Sequence, residues 1–188
     1  MKPVAFINFL HKIEKLKFTT RHSWTSSCRH ESVAEHSWRL AVMAMLCKDE
    51  YPNIDIDKVI KMALIHDFGE AITGDIPAFL KTNQDEENES IAVDSLLADL
   101  PQELQKEFKM LFAEMNTLQT QEAKLFKSLD NMEALISHNE APLSTWLANE
   151  YTDNLTYGQE NVVWSDWTIK LKEQIKEDSI RKIENEKL

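Results

Sequence analysis

The chain has 188 residues and a formal net charge of −11 at pH 7, from 32 acidic and 21 basic side chains. That length buries a sizeable core without disulfides and predicts one domain over 1–188. The negative balance argues against a nucleic-acid polymer as partner, because such binding needs Lys and Arg to displace counterions from phosphates.

Three glycines and five prolines leave few turns for hairpins, so the composition predicts an all-α bundle. Phe6, Phe9, Leu10, Ile13 and Leu16 recur at three- and four-residue steps and predict an amphipathic helix over 3–18. A polar loop with Arg21, Trp24 and Arg29 follows. Ser32-Val33-Ala34-Glu35 is a capping-box pattern opening a helix to about Asp49, with His36 in its first turn and Val33, Leu40, Met43 and Cys47 on the same stripe. Pro52-Asn53 breaks the chain, and the next helix is predicted over 57–73, stopped by Gly74 and Pro77. Residues 83–90 read as an acidic, solvated connector and helix start. Helices over about 86–99 and 101–116 come next, the second opened by Pro101. The helix over 120–139 carries Asp130 at the edge of a face made by Ala123, Phe126 and Ala134, and a last helix runs over 164–188. No apolar run approaches the roughly twenty residues of a membrane-spanning helix. Cys28 and Cys47 lack CxxC spacing and no signal peptide precedes them. A soluble, cytoplasmic protein without membrane contact is expected.

The run Val-Ile-Lys-Met-Ala-Leu-Ile-His-Asp-Phe-Gly-Glu at 59–70 places His66 and Asp67 in an apolar setting. Unpaired burial would cost several kcal/mol, so a partner is required, and a divalent cation is the obvious one. His36 and Asp130 lie in apolar stripes of their own, and three helices would then converge on one ion. Alone, His36 would read as a core histidine bonded to a backbone carbonyl, and Asp130 as a surface carboxylate paired with Lys127 or Lys124. Two imidazoles and two carboxylates suit Mn, Co, Fe, Ni or Zn, and accept Mg if waters complete an octahedron. Glu70, four residues after His66 and three after Asp67, is expected on the same helix face. Lys127, one turn before Asp130, is a candidate phosphate contact. His138 reads as a partly exposed helix histidine, and Trp146, Trp164 and Trp167 as either a dimer surface or the last core contacts.

The segments Arg29-His30-Glu31-Ser32-Val33-Ala34-Glu35-His36 and His66-Asp67-Phe68-Gly69-Glu70-Ala71-Ile72-Thr73-Gly74-Asp75-Ile76-Pro77, followed by Asp130 on a later helix, occur in a fixed order. This set resembles the HD-domain phosphohydrolase superfamily, and within it the small single-domain branch of 5'-deoxynucleotidases acting on nucleoside monophosphates. The resemblance covers roughly residues 5–140, leaving 141–188 as a helical extension. It implies a helical HD-domain bundle with a metal at its centre, held by His36, His66, Asp67 and Asp130, the ion binding the substrate phosphate and a water. It further implies that Glu70 orients or deprotonates that water, that Asp75 supplies a proton to the departing 5'-oxygen, and that Arg21 and Thr73 contact phosphate or sugar. In better-known bacterial members a tryptophan directly follows that arginine. Here His22 takes its place and Trp24 gives the R-x-x-W spacing of other members, which makes Trp24 the candidate substrate-binding aromatic. A homodimer is also implied.

The expected function is thus a metal-dependent 5'-nucleotidase releasing phosphate from (deoxy)ribonucleoside 5'-monophosphates. Hydrolysis of another phosphorylated nucleotide, such as a pyrophosphate alarmone, is disfavoured by the lack of basic residues around the doublet. A non-catalytic metal-binding helical interaction protein is disfavoured by Glu70 and Asp75, which a structural ion would not need. A two-metal arrangement of the cyclic-dinucleotide phosphodiesterase kind would need extra histidines, and none lies between Asp67 and Asp130.

Overall fold

Helix α1 (Pro3–Ile13) stops earlier than the apolar spacing predicts and tightens into a 3-10 turn over Glu14–Lys17. The stripe divides there: Phe9 and Leu16 enter the core, while Phe6 and Leu10 stay exposed. The computed structural model describes residues 1–185, so the last three residues of the helix expected over 164–188 lie outside it.

The segment expected as a polar loop contains a small hairpin, β1 (Thr20–Trp24) paired antiparallel with β2 (His30–Ser32). No glycine makes its turn. Thr25 N donates to Arg29 O at 2.8 Å, and Cys28 takes the left-handed conformation, at φ 61°. Helix α2 (Val33–Leu46) opens with the expected box: Glu35 N donates to Ser32 Oγ at 3.3 Å, and Ser32 N donates to the Glu35 carboxylate at 2.9 Å.

The helix expected over 57–73 is two helices, α3 (Ile56–Ile65) and α4 (Glu70–Thr73), joined by a tight turn. Asp55 caps α3 by accepting from Lys58 N at 3.0 Å. Past His66 the bonding shortens to three-residue steps, Phe68 N to Ile65 O and Glu70 N to Asp67 O, each at 3.0 Å. Gly69 in this turn allows a close approach to the next helix. A side chain at that position would meet Glu89 O at 3.0 Å and Val93 Cγ2 at 3.3 Å, so the turn presses directly on the following helix.

That helix, α5 (Asn83–Leu97), begins earlier than expected, because Thr82 and Asp85 form a second capping box. The acidic connector is therefore its first two turns. Helix α6 (Gln102–Thr117) leads to α7 (Gln121–Glu140), which packs against α2, α3, α6, β1 and the C-terminal helices. Leu125, Leu129, Met132 and Leu135 of α7 are at most 1% exposed, each contributing about 1.5–3 kcal/mol. The chain then forms two short helices that the sequence pattern did not reveal, α8 (Glu150–Thr156) and α9 (Gln159–Val162), and ends in α10 (Asp166–Asn185). Trp146 is buried, and Trp164 and Trp167 pack on the core, so all three tryptophans are core contacts. Among the described residues no helix is long and apolar enough to cross a membrane.

Gly158, between α8 and α9, has φ +71°, and an added Cβ would lie 2.6 Å from Asn131 Nδ2 and 2.7 Å from Asn131 Cβ. Gly74, at φ +78°, has nothing within 4 Å. Gly74→Ala should cost about 1–2 kcal/mol from backbone strain alone, and Gly158→Ala about 1–3 kcal/mol more from overpacking. Urea unfolding of the two variants checks this order.

Candidate active site

The centre of the site is a meeting of lone pairs. His66 Nδ1–H donates to the Ala63 carbonyl at 2.9 Å, which in the neutral imidazole puts the lone pair on Nε2. His36 is fully buried, and its Nδ1–H donates to the Glu133 carboxylate. The two Nε2 atoms then face each other at 3.3 Å, with Asp67 Oδ2 3.0 Å from His66 Nε2 and Asp130 Oδ1 3.2 Å from His36 Nε2. Asp67 Oδ2 is buried and accepts no hydrogen bond. The ligand atoms of His36, His66 and Asp67 all lie within 4.8 Å of one another. Two imidazole nitrogens and two carboxylate oxygens thus converge where only a cation or a proton relieves them. Left to itself the cluster takes a proton: burial and Arg21 pull the His36 pKa down, but Asp130 and Glu133 prevail and push it up to about 9. A divalent ion would stand in that proton's place, so the donor set fits one.

Charged partners hold these groups in register. Lys127 Nζ donates to Asp130 Oδ2 at 2.9 Å, leaving Oδ1 for the cluster. Glu133 also accepts from Arg39 Nε at 2.6 Å, and His36 and Arg39 keep its pKa down at about 2 against the effect of burial. Arg21 reaches from β1, with Nη1 3.8 Å from Asp67 Oδ2 and Nε 3.6 Å from Glu31 Oε2, while Nε itself has no hydrogen-bond acceptor.

Above the cluster opens a cavity of about 360 Å³, within the range of small-molecule sites, about 300–1,000 Å³. Arg21, His66, Asp67, Glu70, Asp75, Lys127 and Asp130 line it, and His36 lies beneath its floor. Two of the expected substrate contacts are not brought there. Trp24 lies off the cavity, its ring 4.1 Å from that of His30. Thr73 faces a separate groove between α4 and α5, its hydroxyl bonded to Gly69 O and Gly74 O. The break after His66 leaves Thr73 outside the cavity, while His66, Asp67 and Glu70 line it together as expected. His138 is buried, not partly exposed, and also lines the cavity.

Sequence reasoning missed Glu133, Arg39, Glu31 and the cavity wall supplied by α8. A signal existed for the first two: Glu133 follows Asp130, and Arg39 follows His36, by three residues, which puts each on the same face as its neighbour.

Glu70 is buried, with Oε2 unpartnered. Burial, then repulsion from Asp67 and Asp75, pushes its pKa up to about 10, with Arg21 opposing. Asp75 is raised as well, by burial first, and Arg21 again opposes.

The HD-domain family model matches residues 13–171, reaching past the motif-bearing core into α10. The chain is 36% identical over 138 residues to the 5'-deoxynucleotidase HDDC2 of Bos taurus, an alignment spanning 71% of this chain and 66% of that protein. It is 34% identical over 142 residues to the 5'-deoxynucleotidase hdd1 of Schizosaccharomyces pombe, covering 71% of each. A crystal structure described as a predicted metal-dependent phosphohydrolase from Magnetospirillum magnetotacticum is similar, with a TM-score of 0.81 at 28% identity, over 95% of this chain and 93% of that one.

A folded-state pKa of about 10 against 4.5 for an ordinary glutamate means that folded Glu70 keeps a proton the unfolded chain releases. Its contribution to stability is therefore present below pH 4.5 and lost as pH rises toward 10. In the presence of a chelator, Glu70→Gln should gain stability over the wild type progressively from pH 5 to pH 9 in urea unfolding. A constant difference would contradict the assignment.

Proposed function

The chain belongs to the HD-domain family, and from that premise we propose that it is a metal-dependent phosphohydrolase releasing phosphate from nucleoside 5'-monophosphates. The observation that carries this reading is the convergence of His36, His66, Asp67 and Asp130 beneath a cavity whose nearest cations, Arg21 and Lys127, are placed for a phosphoryl group. The relatives named as 5'-deoxynucleotidases support the substrate class.

A divalent ion held by those four residues would polarise a phosphoryl oxygen and lower the pKa of a bound water. The chain's own groups do the rest. Arg21 and Lys127 spread positive charge over the phosphoryl oxygens. Glu70, which lines the same cavity with Oε2 unpartnered, would orient the water and take its proton. Asp75, its pKa raised by burial, delivers a proton to the leaving 5'-oxygen. At the other end of the cavity, Glu150 and Asp153 repel a second phosphate, which favours a monophosphate over a pyrophosphate substrate.

The same reading includes one domain over 1–188, a homodimer and a reducing cytoplasm. Exposed Phe6, Ile7 and Leu10 of α1 offer the dimer an apolar face, and the thiols of Cys28 and Cys47 are free.

Phosphate release from a panel of deoxyribo- and ribonucleoside monophosphates with Mn, Co, Mg or Zn tests the proposal. The wild type should turn over only with metal, and Asp67→Ala should fall to background. Glu133→Gln should retain the fold but bind metal about 10–100-fold more weakly, read by calorimetric titration. Turnover of equal rate in chelator would refute the reading.

A further inference from the structure

The end of the cavity remote from the metal-type cluster has its own polar network, which the phosphoryl chemistry leaves unused. His138 lies eight residues after Asp130 on α7, about 12 Å farther along the axis at 1.5 Å per residue. Ala134, between them, lines the cavity with a small side chain that keeps the path open. His22 Nε2 donates to Glu150 Oε1 at 3.0 Å, and Glu150 Oε2 accepts from Leu147 N at 2.7 Å. Ser23 Oγ donates to His138 Nε2 at 3.3 Å, and His138 Nδ1 donates to Asn154 Oδ1 at 3.1 Å. Of the buried side-chain atoms in this network, one has no partner. Asn154 is 4% exposed, lines the cavity, and its Nδ2 donor has no acceptor.

A buried amide donor without a partner costs about 1–3 kcal/mol, and an acceptor on a bound ligand would relieve it. The surroundings restrict what that ligand is. Glu150 and Asp153 exclude an anion. The rings of His22 and Phe79, 5.5 Å apart and edge to face, both line the cavity, a corner in which a planar ligand meets the face of one ring and the edge of the other. The trio His22, His138 and Glu150 also has metal-ligand spacing, but its facing atoms already have hydrogen-bond partners, His22 in Glu150 and His138 in Ser23 and Asn154. The lone pairs of His36 and His66 do not, so the trio has no comparable need of a cation.

We propose that His22, Glu150 and Asn154 form a nucleobase-recognition subsite, in which Asn154 Nδ2 donates to a base carbonyl or ring nitrogen and Glu150 holds His22 against the ring. The inference rests on the nucleotidase reading and deepens it, because it assigns the specificity of the same cavity to residues of β1 and α8.

The test compares kcat/KM for a nucleoside monophosphate with that for deoxyribose 5-phosphate, which carries the same phosphate and sugar and no base. In the metal-loaded wild type the ratio should favour the nucleotide. It should fall about tenfold in Asn154→Ala, the loss expected of one buried hydrogen bond. It should fall also in Glu150→Gln, which keeps the shape of the side chain and guards against a folding defect in the first variant. A ratio unchanged in both variants, with wild-type melting temperatures, would overturn the inference and leave the nucleotidase reading intact. A wild type inactive on both compounds would overturn both. A second equivalent of Zn bound by the Asp67→Ala protein and lost on adding His138→Ala would assign the trio to an ion and overturn the subsite.

Discussion

The structure depends on one electrostatic constraint: two imidazole lone pairs and two carboxylates are pointed at one another at the largely buried floor of the cavity. Such a cluster is stable only when a positive charge sits among it. Each surrounding ion pair maintains that orientation. The Ala63 carbonyl fixes the tautomer of His66, and Glu133 fixes that of His36. Arg39 keeps Glu133 ionised, and Lys127 takes the spare oxygen of Asp130. These partners cost little conformational freedom, because α2, α3 and α7 are already packed against one another. The fold supplies the rigidity, and the outer residues supply the sign of the charge.

The same constraint separates the roles of the acidic residues. Asp67 and Asp130 are held ionised by cations and histidines that outweigh their burial, whereas Glu70 and Asp75, a few residues away, are pushed toward their protonated forms. Carboxyl groups in one cavity are thereby divided into those that hold charge and those that exchange protons. The division follows from position: Asp67 meets His66 and Arg21, while Glu70 looks back at Asp67 and Asp75.

Much of this was legible in the sequence. The helical class, the Ser32–Glu35 cap and the gathering of His36, His66, Asp67, Glu70, Asp75, Lys127 and Asp130 all follow from periodicity, capping chemistry or the ordered motifs. What was not legible has local physical causes. In the turn after His66, Gly69 lets α5 approach into the space that a side chain would fill, and no window of hydropathy records that neighbour. The hairpin of β1 and β2 turns without glycine. The resemblance assigns Thr73 and Trp24 to the site, but the structure carries them elsewhere, Thr73 to the groove between α4 and α5 and Trp24 against His30. The α8 wall was invisible because its helix spans only seven residues, Glu150–Thr156, too short for a periodic signal.

The most direct measurement is long-range proton–nitrogen NMR of the histidine side chains during titration with Zn(II). The tautomers imposed by Ala63 and Glu133 predict that, at one equivalent, the Nε2 resonances of His36 and His66 shift together while both rings keep their proton on Nδ1. Either ring retaining a proton on Nε2 at saturating metal would contradict the account, because the lone pairs on which the site is built would then not meet the ion.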